Sequence, residues 1–506
     1  MGAARRLSTT TSLCPRCKRG IAAEIEERGS EVWMRKACPD HGAFEVRLST
    51  DSAWYQATEQ LAAVDTPPPH VARDIEHGCP FDCGPCASHT QSIKLPVVTI
   101  TSACDLDCPI CYVHNKNQGA FHMGRAELER VVNHLVKNSR GDLDLVNFTG
   151  GEPLLHPQIA DIVERCQELG IHRVSVCTNG IRLVKDRALL ERLARLGVRI
   201  ALSFDSFEKH ADYALQGANL VDLKLECLRL LAEYDVDTTL IPVMTKGYND
   251  HEIGRIIELG LSQPNVRHLE VHTITYTGQS GVDFDRSGRI SMVEVLDRIQ
   301  ETTGGLLRRS DFVPSPCAHP LCYQIAYLLV DPEGGPPLPF TRFMPRETLV
   351  DCLRDHLYLE PTPRLEQALK DAINQLWVGS DPGSGERSDV PALSGADADR
   401  ALNLLESLLR RLFPKKPLSA EEALRISERA AKAVYVHSHM DEETFDVERV
   451  KQCCDSNCYA DGSSIPVCNY NILYREKESR FMQQPKSWQR EGGRRLPLIQ
   501  PGANGG

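Results

Sequence analysis

The feature that most limits this chain is a pair of cysteine triplets inside residues 79–111. They read Cys79-Pro-Phe-Asp-Cys83-Gly-Pro-Cys86 and Cys104-Asp-Leu-Asp-Cys108-Pro-Ile-Cys111, both with C-x3-C-x2-C spacing. Three thiolates spaced in this way let one loop wrap three corners of an iron–sulfur cubane, the fourth corner being supplied from elsewhere or left open. Core packing does not call for two such loops so close together. The rest of the chain is read as serving these two metal loops.

The other cysteines support this reading. The chain has 19 in all, many for a reducing compartment where disulfides are disfavoured. Cys166, Cys177, Cys227 and Cys352 stand alone and are expected to be buried packing residues. The others are grouped. Cys14-Pro-Arg-Cys17 and Cys38-Pro-Asp-His41 flank two short strand-like runs, Glu24–Glu27 and Glu31–Lys36, joined at Arg28-Gly29. This is the layout of a small ribbon holding one zinc or iron ion through three sulfurs and an imidazole. Its acidic face argues for a structural or electron-relay role over nucleic-acid binding. A late group contains Cys317, Cys322, Cys453, Cys454, Cys458 and Cys468.

Composition excludes several functions. A net charge of −11 over 506 residues argues against a broad nucleic-acid surface. No apolar run approaches bilayer length, and Met1–Thr11 lacks the apolar core of a secretory signal. The expected location is the cytoplasm, with at most peripheral membrane contact.

After Leu95 the pattern alternates apolar runs with amphipathic helices. Strands are expected at Val97–Thr101, Leu143–Phe148, His172–Cys177, Val198–Phe204, Asp237–Val243 and Arg267–Ile274. The first helix places Leu128, Val131, Val132 and Leu135 on one face, and further helices are expected near Gln158–Leu169, Lys185–Leu196, Leu220–Tyr234 and Asp250–Leu261. Six strand–helix units indicate a parallel α/β sheet. Chemistry in such folds gathers where strands end, and the Cys104 loop, Gly150-Gly151-Glu152, Thr178-Asn179-Gly180 and Ser203–Asp205 all fall there.

The Cys104-x3-Cys108-x2-Cys111 loop after one strand and Thr149-Gly150-Gly151-Glu152-Pro153 after the next together resemble the radical S-adenosylmethionine (radical SAM) superfamily. The resemblance implies a partial (β/α)6 barrel. It also implies a 4Fe-4S cluster on Cys104, Cys108 and Cys111 whose open iron chelates the methionine end of S-adenosylmethionine. Gly150, Gly151 and Glu152 would hold the methionine ammonium. Ser203 and Asp205 would meet the ribose, with Asn179 and Glu270 at strand ends facing the nucleoside. One departure is Ile110, where the superfamily usually has an aromatic residue; Tyr112 follows the third cysteine instead.

The flanks narrow the resemblance to the subfamily of archaeal tetraether lipid synthases and pterin dimethyltransferases. They comprise Gly78–Cys86 with His89 and Gln91, Cys317-Ala-His-Pro-Leu-Cys322, Arg342-Phe343, Phe445–Cys454, Asp461–Cys468 and the N-terminal Cys3His ribbon, together spanning about residues 12–474. On this pattern Cys79, Cys83, Cys86, Cys317, Cys322, Cys453, Cys454 and Cys468 make eight ligands for two auxiliary 4Fe-4S clusters, leaving Cys458 spare. His319, His437 and His439 are read as core or solvated histidines.

The implied chemistry is reductive cleavage of S-adenosylmethionine to a 5′-deoxyadenosyl radical, followed by carbon–carbon bond formation at an unactivated carbon of a lipid or pterin-like small molecule. An external one-electron reductant such as flavodoxin or ferredoxin would be needed. The competing readings are a peptide-modifying maturase and a non-catalytic iron–sulfur or zinc scaffold.

The expected organisation is a metal ribbon at 1–50, a linker with the first auxiliary-cluster loop at 51–94, the barrel at 95–305, an auxiliary-cluster and substrate region with a helical insert at 306–474, and a loose tail at 475–506. Within the late region, Tyr327–Val330 reads as a strand and 379–390 as a linker. Asp397–Leu412 reads as a helix, and Ser419-x2-Glu422 as a capping box.

Overall fold

The computed structural model describes residues 4–475 apart from 62–63, 114–120, 140–142, 332–333, 355, 379–392 and 394. The expected linker at 379–390 and the tail beyond Arg475 lie outside the described residues.

The N-terminal module is a four-stranded antiparallel sheet in chain order: β1 (Arg5–Leu13), β2 (Gly20–Arg28), β3 (Glu31–Cys38) and β4 (Gly42–Ser49). The sequence pattern marks only its middle hairpin. Alternation of buried Ile21, Ala23 and Ile25 with buried Val32, Met34 and Lys36 gives the sheet one inner face. Lys36 reaches out of that face to Ser12 Oγ (2.8 Å) and to the carbonyls of Glu442 (2.9 Å) and Glu443 (2.6 Å), tying the module to the C-terminal region.

The segment expected as a linker after residue 51 begins instead with a helix, Ser52–Glu59. Asp51 caps it by accepting from Trp54 N at 2.9 Å. Its buried positions are Ser52, Tyr55 and Thr58, so hydropathy carries no helical signal there.

Six parallel strands then form the core of the molecule: β5 (Leu95–Thr101), β6 (Leu145–Gly150), β7 (Arg173–Thr178), β8 (Arg199–Ser203), β9 (Thr238–Ile241) and β10 (Val266–Thr273). Each pairs in parallel with the next. Helices Arg125–Asn138, Ile159–Glu168, Arg187–Arg195, Val221–Glu233 and Ile253–Ser262 alternate with them. The expected helix at 185–196 is split at Asp186, whose carboxylate caps its second part through Leu189 N. The core lies between strand residues such as Val98, Phe148, Val176 and Leu202 and helix residues such as Leu128, Val163, Leu190 and Leu231.

The late chain returns to the same sheet. After β11 (Tyr323–Leu329), strand β12 (Ala431–His437) lies parallel against β10, and β11 is antiparallel to β12. On the opposite edge β13 (Asp455–Cys458) runs parallel to β5 and carries β14 (Ser464–Pro466). Both edges of the six-stranded arc are thereby paired. A second apolar core packs β11 against helices Arg346–Cys352, Pro363–Val378 and Gly395–Leu412, and the Ser419–Glu422 capping box opens helix Ala420–Ala430. Among the described residues no helix is long and apolar enough to cross a membrane.

Candidate active site and metal centres

In the N-terminal module the turns after β1 and β3 bring Cys14, Cys17, Cys38 and His41 together, with one ligand atom of each within 4.8 Å of the others. Cys14 Sγ and Cys38 Sγ lie 3.6 and 3.4 Å from His41 Nδ1, and Cys17 Sγ lies 3.9 Å from Cys38 Sγ. A tetrahedron with metal–sulfur bonds of about 2.3 Å has edges of about 3.8 Å, so the donor set fits one ion. Lys18 takes a left-handed conformation (φ 57°) that lets its N–H close the knuckle on Cys14 O at 2.9 Å. Burial opposes ionisation of Cys14. Backbone N–H groups of Cys17 and Arg16 and the neighbouring thiols nevertheless bring it down to about 6.

The Cys104 loop leaves the end of β5 and is held on several sides. Gly151 N donates to Thr101 O at 2.9 Å and Glu152 N to Ala103 O at 2.6 Å. The backbones approach so closely that a Cβ on Gly150 would stand 2.0 Å from Thr101 O, and one on Gly151 2.1 Å from Ala103 O. Gly150 also has φ 149°, a conformation that favours glycine. The far side of the loop is fastened by Ile110 N to Leu215 O (3.0 Å), Ser280 N to Cys111 O (2.9 Å) and Gln279 Nε2 to Asp107 Oδ1 (2.9 Å). Cys104, Cys108 and Cys111 are half-buried and in no disulfide. Burial, with the negative charges of Cys111, Glu152 and Asp105, pushes the Cys104 thiol up to about 12. A cationic iron cluster supplies the charge that such a thiol needs to ionise. The three thiols and the glycine cradle beside them fit a cubane with a ligand laid against the backbone.

The expected nucleoside and methionine contacts meet at the same strand ends. Glu152 is only 2% exposed, and its carboxylate accepts from Leu154 N (3.0 Å), Thr178 Oγ1 (2.8 Å) and Asn179 N (2.8 Å). Burial and Asp105 raise it to about 7. Asn179 donates on to Asp105 Oδ1 at 2.7 Å, so Glu152 and Asn179 bracket three loops together. Asp205 is 1% exposed. It accepts from Val243 N at 2.8 Å and from Gln216 Nε2, and burial raises its carboxyl even beside Lys224. Ser203 Oγ accepts from Lys224 Nζ at 3.4 Å. These carboxylates are therefore engaged by protein donors.

Sequence reasoning missed Gln216 and Gln279. Gln216 links Asp205 to Cys108, whose Sγ lies 3.5 Å from Gln216 Oε1. Neither glutamine belongs to a motif. The only signal for Gln216 is its place just before Gly217, which closes the helix in a left-handed conformation.

The Cys79 loop is fixed by Asp82, which accepts from the N–H groups of Glu76, His77 and Gly78, and by residues just after Cys468. Asn469 Nδ2 donates to Cys83 Sγ at 2.8 Å and Tyr474 OH to Phe81 O at 2.7 Å. Cys79, Cys83 and Cys86 line one cavity with His89, Lys451 and Ser456. None of the five late candidate ligands lines it. Cys322 and Cys468 add to the burial that raises the Cys453 thiol, and Cys317 and Cys453 add to the burial that raises the Cys454 thiol; Cys317 and Cys454 belong to the second apolar core, against which Cys322 also packs. Cys458 packs in the barrel core with Cys166 and Cys227, and Cys352 in the helical layer. Cys177 donates to Asn147 Oδ1 at 3.3 Å.

Residues 98–260 match the Radical SAM superfamily, and residues 6–50 match the HMPTM N-terminal zinc ribbon domain. The chain is 27% identical over 511 residues to 7,8-dihydro-6-hydroxymethylpterin dimethyltransferase of Methanocaldococcus jannaschii, covering 95% of this chain and 97% of that one. It is 27% identical over 183 residues to a probable GTP 3′,8-cyclase of Saccharolobus islandicus, covering 35% of this chain and 56% of that one. Among solved structures, Streptococcus suis SuiB bound to precursor peptide SuiA is a remote likeness, with 18% identity, coverage of 43% and 46%, and a TM-score of 0.35. The radical SAM domain implies a 4Fe-4S cluster and S-adenosylmethionine. With a parallel barrel, a cysteine triplet against a Gly-Gly-Glu turn and a zinc ribbon in front, the chain is a radical SAM enzyme.

Proposed function

We propose that this enzyme transfers a methyl group to a carbon of a pterin-like small molecule. The observation that carries the reading is the extent of its similarity to the Methanocaldococcus pterin dimethyltransferase, 95% of the chain. A barrel by itself does not separate substrates. Here the likeness also takes in the ribbon and the late region, which adds strands to both edges of the barrel sheet.

Cys104, Cys108 and Cys111 hold the cluster in this reading, and Gly150 and Gly151 let S-adenosylmethionine lie against the backbone. When bound, the cluster and cofactor supply a one-electron reduction that yields a 5′-deoxyadenosyl radical. The chain's own part is geometric. Glu152 and Asn179 lock the loops around the cofactor, and Gln216 and Asp205 hold the end of β8 against Cys108. The late strands pair with both edges of the barrel sheet. Ser203 is assigned to the nucleoside, and Asp205, both of whose carboxylate oxygens accept internal hydrogen bonds, shapes the strand end beside it. Cys79, Cys83, Cys86, Cys317, Cys322, Cys453, Cys454 and Cys468 together are assigned as the eight ligands of two auxiliary 4Fe-4S clusters. The ribbon's Cys14, Cys17, Cys38 and His41 are assigned to zinc. The reductant is an external flavodoxin or ferredoxin, and the compartment is the cytoplasm.

The test is anaerobic incubation of the reconstituted enzyme with reductant, a hydroxymethyl-dihydropterin and S-adenosylmethionine labelled in its methyl group, with and without a one-carbon folate. Methylated pterin together with 5′-deoxyadenosine is expected. If 5′-deoxyadenosine forms while pterins stay unmodified and added lipids or peptides change instead, the pterin assignment is wrong.

A further inference from the structure

Strands β10 and β12 are adjacent and parallel, in a register that sets His272 beside His437. Glu270 is two residues before His272 and shares its face of the strand. His439 is two residues beyond His437. One ligand atom of each of His272, His437 and His439 lies within 4.8 Å of the other two. The His437 and His439 ring centroids are 3.9 Å apart, and each lies 5.1 Å from that of His272. His437 is buried, as the core reading of the sequence has it; the convergence of three imidazoles is what that reading does not anticipate.

The surroundings resemble a supported donor set. One carboxylate oxygen of Glu270 lies 3.0 Å from His272 Nε2 and 3.4 Å from His437 Nδ1. Each of these rings therefore has one nitrogen held by a carboxylate and a second nitrogen left over. Metal-binding histidines are commonly oriented in this way, by a carboxylate on the ring nitrogen that does not ligate. Tyr323 stacks on His437 at 3.7 Å, and Tyr112 stacks on His439 at 5.9 Å. His439 Nδ1 lies 3.7 Å from Cys468 Sγ. Tyr112 directly follows Cys111, so the three imidazoles border the candidate cofactor loop.

We propose that His272, His437 and His439 bind one divalent transition cation, zinc or iron(II), with Glu270 orienting two of the rings. Three imidazoles leave a tetrahedral ion one position for an exogenous ligand, the arrangement of catalytic rather than structural zinc sites. An oxygen or nitrogen of the substrate would take that position, fixing a polar heterocycle or hydroxyl-bearing molecule next to the site of radical formation. This goes beyond the methyl-transfer reading and does not depend on it.

The test uses the full chain, reconstituted anaerobically with its iron–sulfur clusters and with the ribbon filled with zinc, and adds cobalt(II) as the probe. One further cobalt per chain is expected, with imidazole rather than sulfur scattering at the cobalt X-ray absorption edge. His272→Ala and His439→Ala should each abolish stoichiometric binding, and Glu270→Gln should weaken it about 10–100-fold, all without change in iron or sulfide. The wild-type chain makes the test independent of variant folding. No additional cobalt, cobalt bound through sulfur, or undiminished binding by Glu270→Gln and the histidine variants would each overturn the proposal.

Discussion

Gly151→Ala tests the link between fold and cofactor site most directly. Gly151 does not need an unusual backbone angle, so the substitution acts through contact alone. The added Cβ would lie 2.1 Å from Ala103 O, whereas ordinary contact begins at 3.4 Å. The Gly-Gly-Glu turn and the base of the Cys104 loop must therefore separate by about 1.3 Å along that line. The movement breaks or stretches the bonds from Glu152 N to Ala103 O (2.6 Å) and from Gly151 N to Thr101 O (2.9 Å), a loss of about 2 kcal/mol. Misplacement of roughly an ångström at a reacting site costs about 100-fold in rate. Anaerobic 5′-deoxyadenosine formation should fall by that order, while iron content stays constant because Gly151 carries no ligand. Gly170→Ala is the control. Gly170 has φ 100° with no atom near its would-be Cβ, so it should lose about 1–2 kcal/mol of stability and retain cleavage. Cofactor cleavage by Gly151→Ala within threefold of wild type would refute the argument that this close approach builds the site.

Other outcomes follow from the same geometry. Cys108→Ala should abolish 5′-deoxyadenosine formation whereas Cys458→Ala, altering a thiol in the barrel core, should keep it, as an anaerobic product assay would record. Zinc in the ribbon competes with protons for three thiolates and an imidazole, so it should be retained at neutral pH and released progressively on acidification, followed with a zinc-sensitive dye, and Cys14→Ser should release it at higher pH than wild type. Lys432 donates to the carbonyls of Gly260, Leu261 and Gln263 at the end of helix Ile253–Ser262. Burial, with Arg267 adding repulsion, lowers it from 10.5 to about 7. Between those values the unfolded chain binds more protons at this site than the folded one, so this group makes stability rise with pH. Lys432→Met should flatten that rise and cost about 1–2 kcal/mol near pH 9, measured by urea unfolding at pH 7 and 9.

Local spacing carries much of this protein. The C-x3-C-x2-C loops, the Cys3His knuckles, the Gly-Gly-Glu turn and the six strand–helix periods are each written within a few to a few tens of residues, where hydropathy and turn chemistry act directly. That is why β5 to β10 and the apolar face of Leu128, Val131, Val132 and Leu135 are legible without a structure. The helix at Ser52–Glu59 is not, because its buried residues are mostly polar and only the Asp51 cap marks it. Other features depend on residues far apart in the chain. Pairing of β12 with β10 and of β13 with β5 depends on which late strand fits each open edge, and no periodicity encodes that choice. It is this pairing that brings His437 beside His272, 165 positions away in sequence. It also brings Cys322 and Cys468 near Cys453, and Cys317 near Cys454. Gln216 and Gln279 gain their places against the Cys104 loop in the same way. The sequence by itself determined which loops could carry metal and that a parallel barrel would present them; the tertiary structure decided which distant side chains surround them, because register across a sheet edge is set by packing and backbone pairing rather than by neighbours along the chain.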